Sequence, residues 1–383
     1  MTSQDGLSPR VLARVEAWAC VYPVQRPFAL GSGQVTRREY VVVRLTADDG
    51  TEGVAYSLSR NAPLDLILTD MLAPKVLGED ALEPTAAAER CARGLLAAGT
   101  EGIVGRALSL LDVALWDLKG RAAGQPVWRL LGGSGATEAP VLLVEGYPRD
   151  GESVEAFGER LAARAAEGYR ILKLANLPDP AQVADRLRAV RAAAGEEVEL
   201  TVDVAWAWRT VDEALAAARL WEPYRLAWIE DPFPASWTHA ISSLSFLVAT
   251  PIGVGDDVTS PALLEELLHR RAIGRLRMDA MTIGGFTAFR AVAGRAHASR
   301  IPVATHVHPE VHQHCAFGLP GVDMVEMFSP GSEFDCVHEF VLPESLDLAA
   351  PGLVRASERP GLGLQLDWDS IEAHAVRSSA VEA

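Results

Sequence analysis

Apolar positions change period along this chain. From Val11 to Ser57 they alternate with polar ones, as in VLARVEAWAC and EYVVVRLTADDGTEGVAYS. In the second run a DDG turn between two β-branched stretches predicts a hairpin. Between the two runs, residues 22–36 read as a turn-rich loop. In IVGRALSLLDVALWDLKGRAAGQP the period becomes helical. Leu108, Leu111, Leu115 and Leu118 recur at three and four residues on one buried face, and Gly124 with Pro126 ends the helix. These elements predict an N-terminal α+β domain over residues 1–132.

Beyond LLGGSGATEAP, short apolar runs alternate with Ala-rich helical stretches, a rhythm that predicts βα units and a parallel sheet. Strands are expected at 141–146, 170–175, 198–204, 225–230, 250–256, 274–279, 301–306 and 322–328. Thr210 with Glu213 is a capping-box signature, and Ser260 followed by Pro261 marks another helix start. Eight such units predict an α/β fold, a TIM-type (β/α)7β barrel over residues 133–345 capped by the first domain. A doubly wound open sheet is the alternative, but no GxGxxG follows the first strand, and GVGDD is acidic where a phosphate cradle is not. Residues 346–383, with PGLGLQLD, are expected to return to the capping domain.

Composition narrows the function. A net charge of −16 argues against a nucleic-acid partner, which would require clustered basic residues. No run approaches eighteen apolar residues and the N-terminus is polar, so neither a membrane span nor a signal peptide is expected. The four cysteines are widely spaced, without a CxxC pair, as expected in a reducing cytoplasm. Only three lysines stand beside thirty-two arginines, which draws attention to Lys173 in EGYRILKLAN.

In a barrel, chemistry collects at the C-terminal strand ends. Strands three, four and five end in Asp203, Glu230 and Asp256, spaced 27 and 26 residues apart. Three converging carboxylates repel one another unless a cation neutralises them, and oxygen ligands suit Mg²⁺ first and Mn²⁺ second. Asp279 ends strand six and His306 strand seven, so a carboxylate can orient an imidazole as a general base. Glu326 ends strand eight and could supply a hydrogen bond or proton to charge developing on a substrate oxygen. THVHPEVHQH also permits a zinc site built from His306, His308, His312 and His314, although Pro309 takes the chain out of the strand. Gly284 and Gly285 suggest close backbone approach rather than a phosphate loop. Trp206 and Trp208 suit either the pocket wall or ordinary packing.

Taken in order, the capping domain, ALSLLDVALWDLKGRAAGQPVWRLLGG, WIEDP, GGFT and PGLGLQLD resemble the enolase superfamily, in its mandelate racemase and muconate lactonising branch. The resemblance spans nearly the whole chain. It implies that Asp203, Glu230 and Asp256 hold Mg²⁺, with an Asp at 256 where Glu is common. It implies that Asp279, His306 and Glu326 form a mandelate racemase-like set, and that the enzyme is a homo-oligomer acting on a small carboxylate. The shared step is removal of a proton α to a carboxylate, giving an enediolate.

Two positions depart from the pattern. Lys173 keeps the first lysine of the strand-two Lys-x-Lys motif, where it would neutralise the substrate carboxylate, but Ala175 replaces the second. Ala205 replaces the Asn of Asp-x-Asn. With one acid–base face emptied, a dehydration run by His306 alone is favoured, which makes the expected activity that of a sugar-acid dehydratase. A racemase, epimerase or cycloisomerase using Glu145 or Tyr147 as second acid is the alternative, and a non-catalytic carboxylate-binding homologue is a third reading. Substrate selectivity is expected from loops 22–35 and 57–61, where Arg26 and Arg60 could meet distal groups.

Overall fold

The N-terminal alternation builds a four-stranded antiparallel sheet. In the computed structural model, which describes residues 8–30, 33–133, 135–175 and 179–383, β1 (Leu12–Leu30) pairs with β2 (Gly33–Ala47), and β2 with β3 (Glu52–Leu58) across the DDG turn. Residues 1–7, expected to be a polar N-terminus, and residues 31–32 of the expected loop lie outside the described residues. The rest of segment 22–36 is strand, not loop. Tyr22, Val24 and Phe28 are buried while Pro23, Gln25 and Pro27 are exposed, so the alternation persists. Its prolines fall at or beside a register irregularity between Pro23 and Phe28, where a missing ladder donor matters least.

The helix Ile103–Ala123 packs on this sheet closely enough that a Cβ on Gly53 would meet the Ala114 carbonyl oxygen at 2.2 Å. Its sequence is apolar on more than one face because the barrel covers its other side. It ends at Gly124 in the left-handed conformation.

Eight parallel strands follow at the eight expected apolar runs. They are β4 (Glu138–Gly146), β5 (Ile171–Ala175), β6 (Glu199–Asp203), β7 (Trp228–Glu230), β8 (Ile252–Val254), β9 (Arg275–Met278), β10 (Val303–Thr305) and β11 (Val322–Phe328). Pairing of β11 with β4 closes the barrel. A helix lies between each consecutive pair of strands. Thr210 and Ser260 cap two of these helices through their side chains, although Glu213 reaches the Arg209 amide at 2.8 Å rather than that of the cap residue.

Period-two alternation positions the site. Leu142, Ile171, Trp228, Ala304 and Met324 form an apolar plug inside the barrel. Two residues further along their strands, Ile171, Trp228 and Met324 give way to Lys173, Glu230 and Glu326, which point to the same interior one layer nearer the mouth.

The C-terminal segment divides its contacts. β12 (Asp347–Ala350) and β13 (Leu353–Arg355) extend the barrel sheet through β4, and only β14 (Ala375–Glu382) joins the capping sheet, beside β1. Among the described residues no helix is long and apolar enough to cross a membrane.

Candidate active site

Asp203, Glu230 and Asp256 each offer one oxygen to a shared position, those atoms lying within 4.8 Å of one another. The ammonium of Lys173 approaches the same position. It is 3.1 Å from Asp203 Oδ2, in contact with Glu230 Oε1, 3.1 Å from Glu326 Oε2 and 3.6 Å from Asp256 Oδ2. Burial alone would lower the pKa of Lys173, but Asp203, Glu230 and Glu326 hold it well above its usual value. Burial raises Asp203, with Lys173 opposing.

A second internal cation, Arg277 on β9, was missed in the sequence. Its guanidinium is fully buried, with Nε 2.9 Å from Glu230 Oε2 and 3.0 Å from Asp256 Oδ1, a second nitrogen on Glu326 Oε2, and a third donating to the Thr305 carbonyl at 2.6 Å. The available signal was parity. Arg277 lies two residues before Asp279 and shares its inward face. Four carboxylates thus face two cations, leaving the charge that one divalent ion complements. Asp256 Oδ1 and Arg277 Nε stand 3.0 Å apart as an ion pair without a hydrogen bond, which leaves Asp256 Oδ2, with Asp203 Oδ2 and Glu230 Oε1, turned to the shared position beside Lys173. This donor set of converging carboxylate oxygens fits a hard divalent cation.

Asp231, the next residue of WIEDP, also lines the cavity, and burial with Asp256 and Asp203 nearby pushes its carboxyl well above the usual range.

His306 and Asp279 meet as expected, with His306 Nδ1 3.1 Å from Asp279 Oδ2. Asp279 Oδ1 accepts from the Met281 amide at 2.7 Å. Burial would raise Asp279, yet the hydrogen bond to His306 and the neighbouring His312 imidazole hold it well below the carboxylate range. For His306, burial is overcome by Asp256 and then by Asp279, which raise it to about 9. Its Nε2 is left facing the cavity, 3.8 Å from Asp256 Oδ2.

The turn after His306 is strained. Val307 and His308 have φ of 41° and 44°, a region that a β-branched residue rarely enters. It is clamped by Val307 N donating to Glu326 Oε1 at 3.3 Å and by His312 Nδ1 at 2.6 Å from the Val307 carbonyl.

Glu326 is a poor proton donor in this arrangement. Burial raises it, but Arg277 and Lys173 outweigh that effect and hold it as an anion. The zinc alternative also fails on geometry. The four histidines do not converge among the described residues. His312 Nε2 accepts from the Ala280 amide at 2.8 Å, while His314 Nδ1 accepts from the Trp128 amide and its Nε2 lies 3.0 Å from the Leu362 carbonyl. Those are internal packing partners.

The capping side closes a cavity of about 570 Å³ over these groups. Arg60 lines it and pairs with Asp257 at 3.2 Å, and Arg106 shares the same carboxylate at 2.7 Å. Arg26, in contrast, is not among the residues that line the cavity and pairs with Glu333 at 2.8 Å. Arg38, which pairs with Tyr22 on the neighbouring strand, does line the cavity. Arg38 is 6% exposed, lies 5.0 Å over the Phe28 ring, and donates to the Phe334 carbonyl at 3.3 Å. Its Nε is buried without a partner, and no carboxylate comes within ion-pair distance among the described residues. Alternation in RREY would have found it, since Arg38 shares the buried parity of Tyr40 and Val42.

Tyr147 lines the cavity, and burial pushes its hydroxyl up to about 12. Glu145 does not line it, being held by Ser329 and by Arg160 at 3.1 Å. Trp206 is in the wall, whereas Trp208 packs on Trp221 and Phe233.

A closed parallel barrel with a capping domain, a carboxylate triad on three adjacent strands and an Asp–His pair opposite Lys173 defines an enolase-type enzyme framework. The sequence profile described as "Enolase C-terminal domain-like" matches residues 156–370, and that described as "Mandelate racemase / muconate lactonizing enzyme, N-terminal domain" matches residues 14–132. The chain belongs to the mandelate racemase/muconate lactonizing enzyme family.

Among its relatives, the 3,6-anhydro-alpha-L-galactonate cycloisomerase of Streptomyces coelicolor is 29% identical over 343 residues, covering 88% of this chain and 92% of the relative. The L-talarate/galactarate dehydratase of Salmonella typhimurium is 28% identical over 342 residues, covering 87% and 81%. Among solved structures, L-talarate dehydratase from Polaromonas sp., complexed with Mg and L-glucarate, superposes with a TM-score of 0.87 at 26% identity, covering 98% of this chain and all of that one.

Proposed function

We propose that this protein is a magnesium-dependent lyase that removes water from a hydroxylated carboxylate of the acid-sugar class. Asp203, Glu230 and Asp256 would hold Mg²⁺, or Mn²⁺ as the next suitable ion. When bound, the ion supplies positive charge against the enediolate that forms as the α-proton leaves. Lys173 binds the substrate carboxylate as a compact point charge. His306, oriented by Asp279 and free of its proton once a cation neutralises Asp256, the largest cause of its raised pKa, takes the α-proton at Nε2 and returns it to the departing β-hydroxyl. Glu326 serves as the anion that fixes Lys173 and Arg277. Arg60 and Arg38 face the distal end of the substrate.

The carrying observation is the combination of an intact His306–Asp279 pair with alanine at 175. A single base suffices for elimination, whereas inversion at the α-carbon needs a proton donor on each face. The dehydratase names among the relatives support the same reading. The second reading, epimerisation or cycloisomerisation, is favoured by one feature, Tyr147, a protonated hydroxyl in the cavity wall. The reading also includes a homo-oligomeric cytoplasmic enzyme without nucleic-acid or membrane partners, in keeping with the net charge of −16.

The test is incubation with a library of acid sugars and Mg²⁺, scored for loss of water, with His306→Asn as the blank. Removing a general base lowers turnover by about 10²- to 10⁴-fold. Full turnover by His306→Asn on an identified substrate would sink the proposal.

A further inference from the structure

Each carboxylate of the triad has two oxygens, and the protein holds one of each pair away from the shared position. Asp203 Oδ1 accepts from the Ala205 amide at 2.9 Å. Glu230 Oε2 accepts from Trp228 Nε1 at 2.8 Å and meets Arg277 Nε at 2.9 Å. Asp256 Oδ1 meets the same nitrogen at 3.0 Å. The other three oxygens, Asp203 Oδ2, Glu230 Oε1 and Asp256 Oδ2, are the ones turned to Lys173.

One buried side chain thus clamps two of the three carboxylates. It is itself fixed at Thr305 and Glu326, so it cannot follow a carboxylate that swings. Room for the second clamp is also specific. A Cβ on Gly253 would lie 2.6 Å from the Trp228 ring, and only glycine leaves that ring space beside Glu230.

We propose that Arg277 is a positioning residue that presents Glu230 and Asp256 through a single oxygen each and thereby selects a small divalent cation over a large one. Mg²⁺ demands six ligands in near-ideal octahedral geometry and keeps several waters, which single-oxygen carboxylates allow. Ca²⁺ takes six to eight oxygens in flexible arrangements and gains from bidentate carboxylates. A guanidinium is suited to this task because its two terminal nitrogens anchor on Glu326 and Thr305 and so fix where Nε stands between Glu230 and Asp256, whereas an ammonium is a point charge without that anchorage. The inference rests on the triad being the cation site proposed above.

The test is calorimetric titration of the metal-stripped full-length protein with MgCl₂ and, separately, CaCl₂, for the unaltered chain and for Arg277→Lys and Arg277→Met. Near-UV circular dichroism would check the fold of each variant. Second-layer partners of a metal are worth about 10- to 100-fold in affinity. The expected result is a shift of the Ca²⁺-to-Mg²⁺ affinity ratio towards Ca²⁺ by about 10-fold or more in both variants.

The lysine variant separates geometry from charge, since it retains the cation but loses the fork. A ratio that moves in Arg277→Met yet stays put in Arg277→Lys would overturn the clamp, as would equal weakening of both ions. If Arg277→Met does not fold, Trp228→Phe replaces it. That variant removes the other donor on Glu230 Oε2 and should move the ratio the same way by a smaller factor, and an unmoved ratio in both it and Arg277→Lys would overturn the proposal. Absence of Mg²⁺ binding to the unaltered chain would instead overturn the reading of the triad.

Discussion

Lys173, Arg277 and Arg38 are buried cations that do different work, and neighbouring charge separates them. Lys173 and Arg277 are enclosed by carboxylates, whereas Arg38 faces the cavity without one among the described residues. An unpaired buried guanidinium is costly unless something arrives to meet it. Arg38→Gln should therefore raise KM for the acid sugar by about 10- to 100-fold, the worth of a charged hydrogen bond, with kcat little changed because the contact is the same in ground and transition states. Steady-state kinetics would check this, and an unchanged KM would remove Arg38 from the substrate's path.

Lys173, the triad and the His306–Asp279 pair were legible in the sequence because strand ends and spacing located them. Arg38 and Arg277 were overlooked although parity marked both. Thirty-two arginines make any one of them uninformative unless its face is counted.

At the scale of elements, two buried acids on the helix Ile103–Ala123 explain motifs that the sequence offered only as likeness. Asp112 accepts from the Thr287 amide at 3.1 Å and from its hydroxyl, while Ser109 Oγ accepts from Gly284 N at 2.8 Å. These contacts dock the start of the helix Gly285–Ala298, which carries GGFT, onto the capping domain. Asp117 does the same for PGLG, accepting from Leu362 N at 2.6 Å and from Val54 N at 2.8 Å.

Gly285 has φ of 81°, and a Cβ there would lie 2.1 Å from Asp112 Oδ1. Gly285→Ala should consequently cost more than 2 kcal/mol, about the worth of a lost buried acceptor plus left-handed strain. Denaturant unfolding would measure it, and a loss within about 0.5 kcal/mol, as for a surface change, would contradict the docking role. The glycine pair was legible as a close approach, but its partner, 173 residues earlier, was not.

For the whole molecule, the barrel was readable because period two and period 3.6 alternate eight times, and a parallel sheet with helices between strands is what that rhythm builds. Residues 22–36 were misread since prolines and glycines obscured a surviving alternation.

Stability should also depend on pH through buried groups at the interfaces between these parts. Burial lowers His314 from its ordinary 6.5 to about 4, despite its contact with the Leu362 carbonyl. The unfolded chain then binds a proton that the folded one refuses, so this group costs stability as pH falls from 6.5 towards 4, by about 1.4 kcal/mol per unit. Asp112 acts oppositely. Burial, opposed by Thr287, raises it from 3.8 to about 7. The folded state keeps a proton that the unfolded state has lost, so its contribution is present below pH 3.8 and declines as pH rises to 7. Unfolding free energies of His314→Gln and Asp112→Asn, each compared with the unaltered chain from pH 4 to 7, should differ from it with opposite slopes. Parallel profiles would contradict the assignment.

The central claim is that one base, His306, removes an α-proton and expels water. The most direct test runs the acid-sugar incubation in D₂O with Mg²⁺ and follows the α-carbon by NMR. Loss of water, with residual substrate keeping its α-configuration and with His306→Asn inactive, is the predicted result. Accumulation of the α-inverted, deuterated substrate without loss of water would contradict it and establish a two-base isomerase.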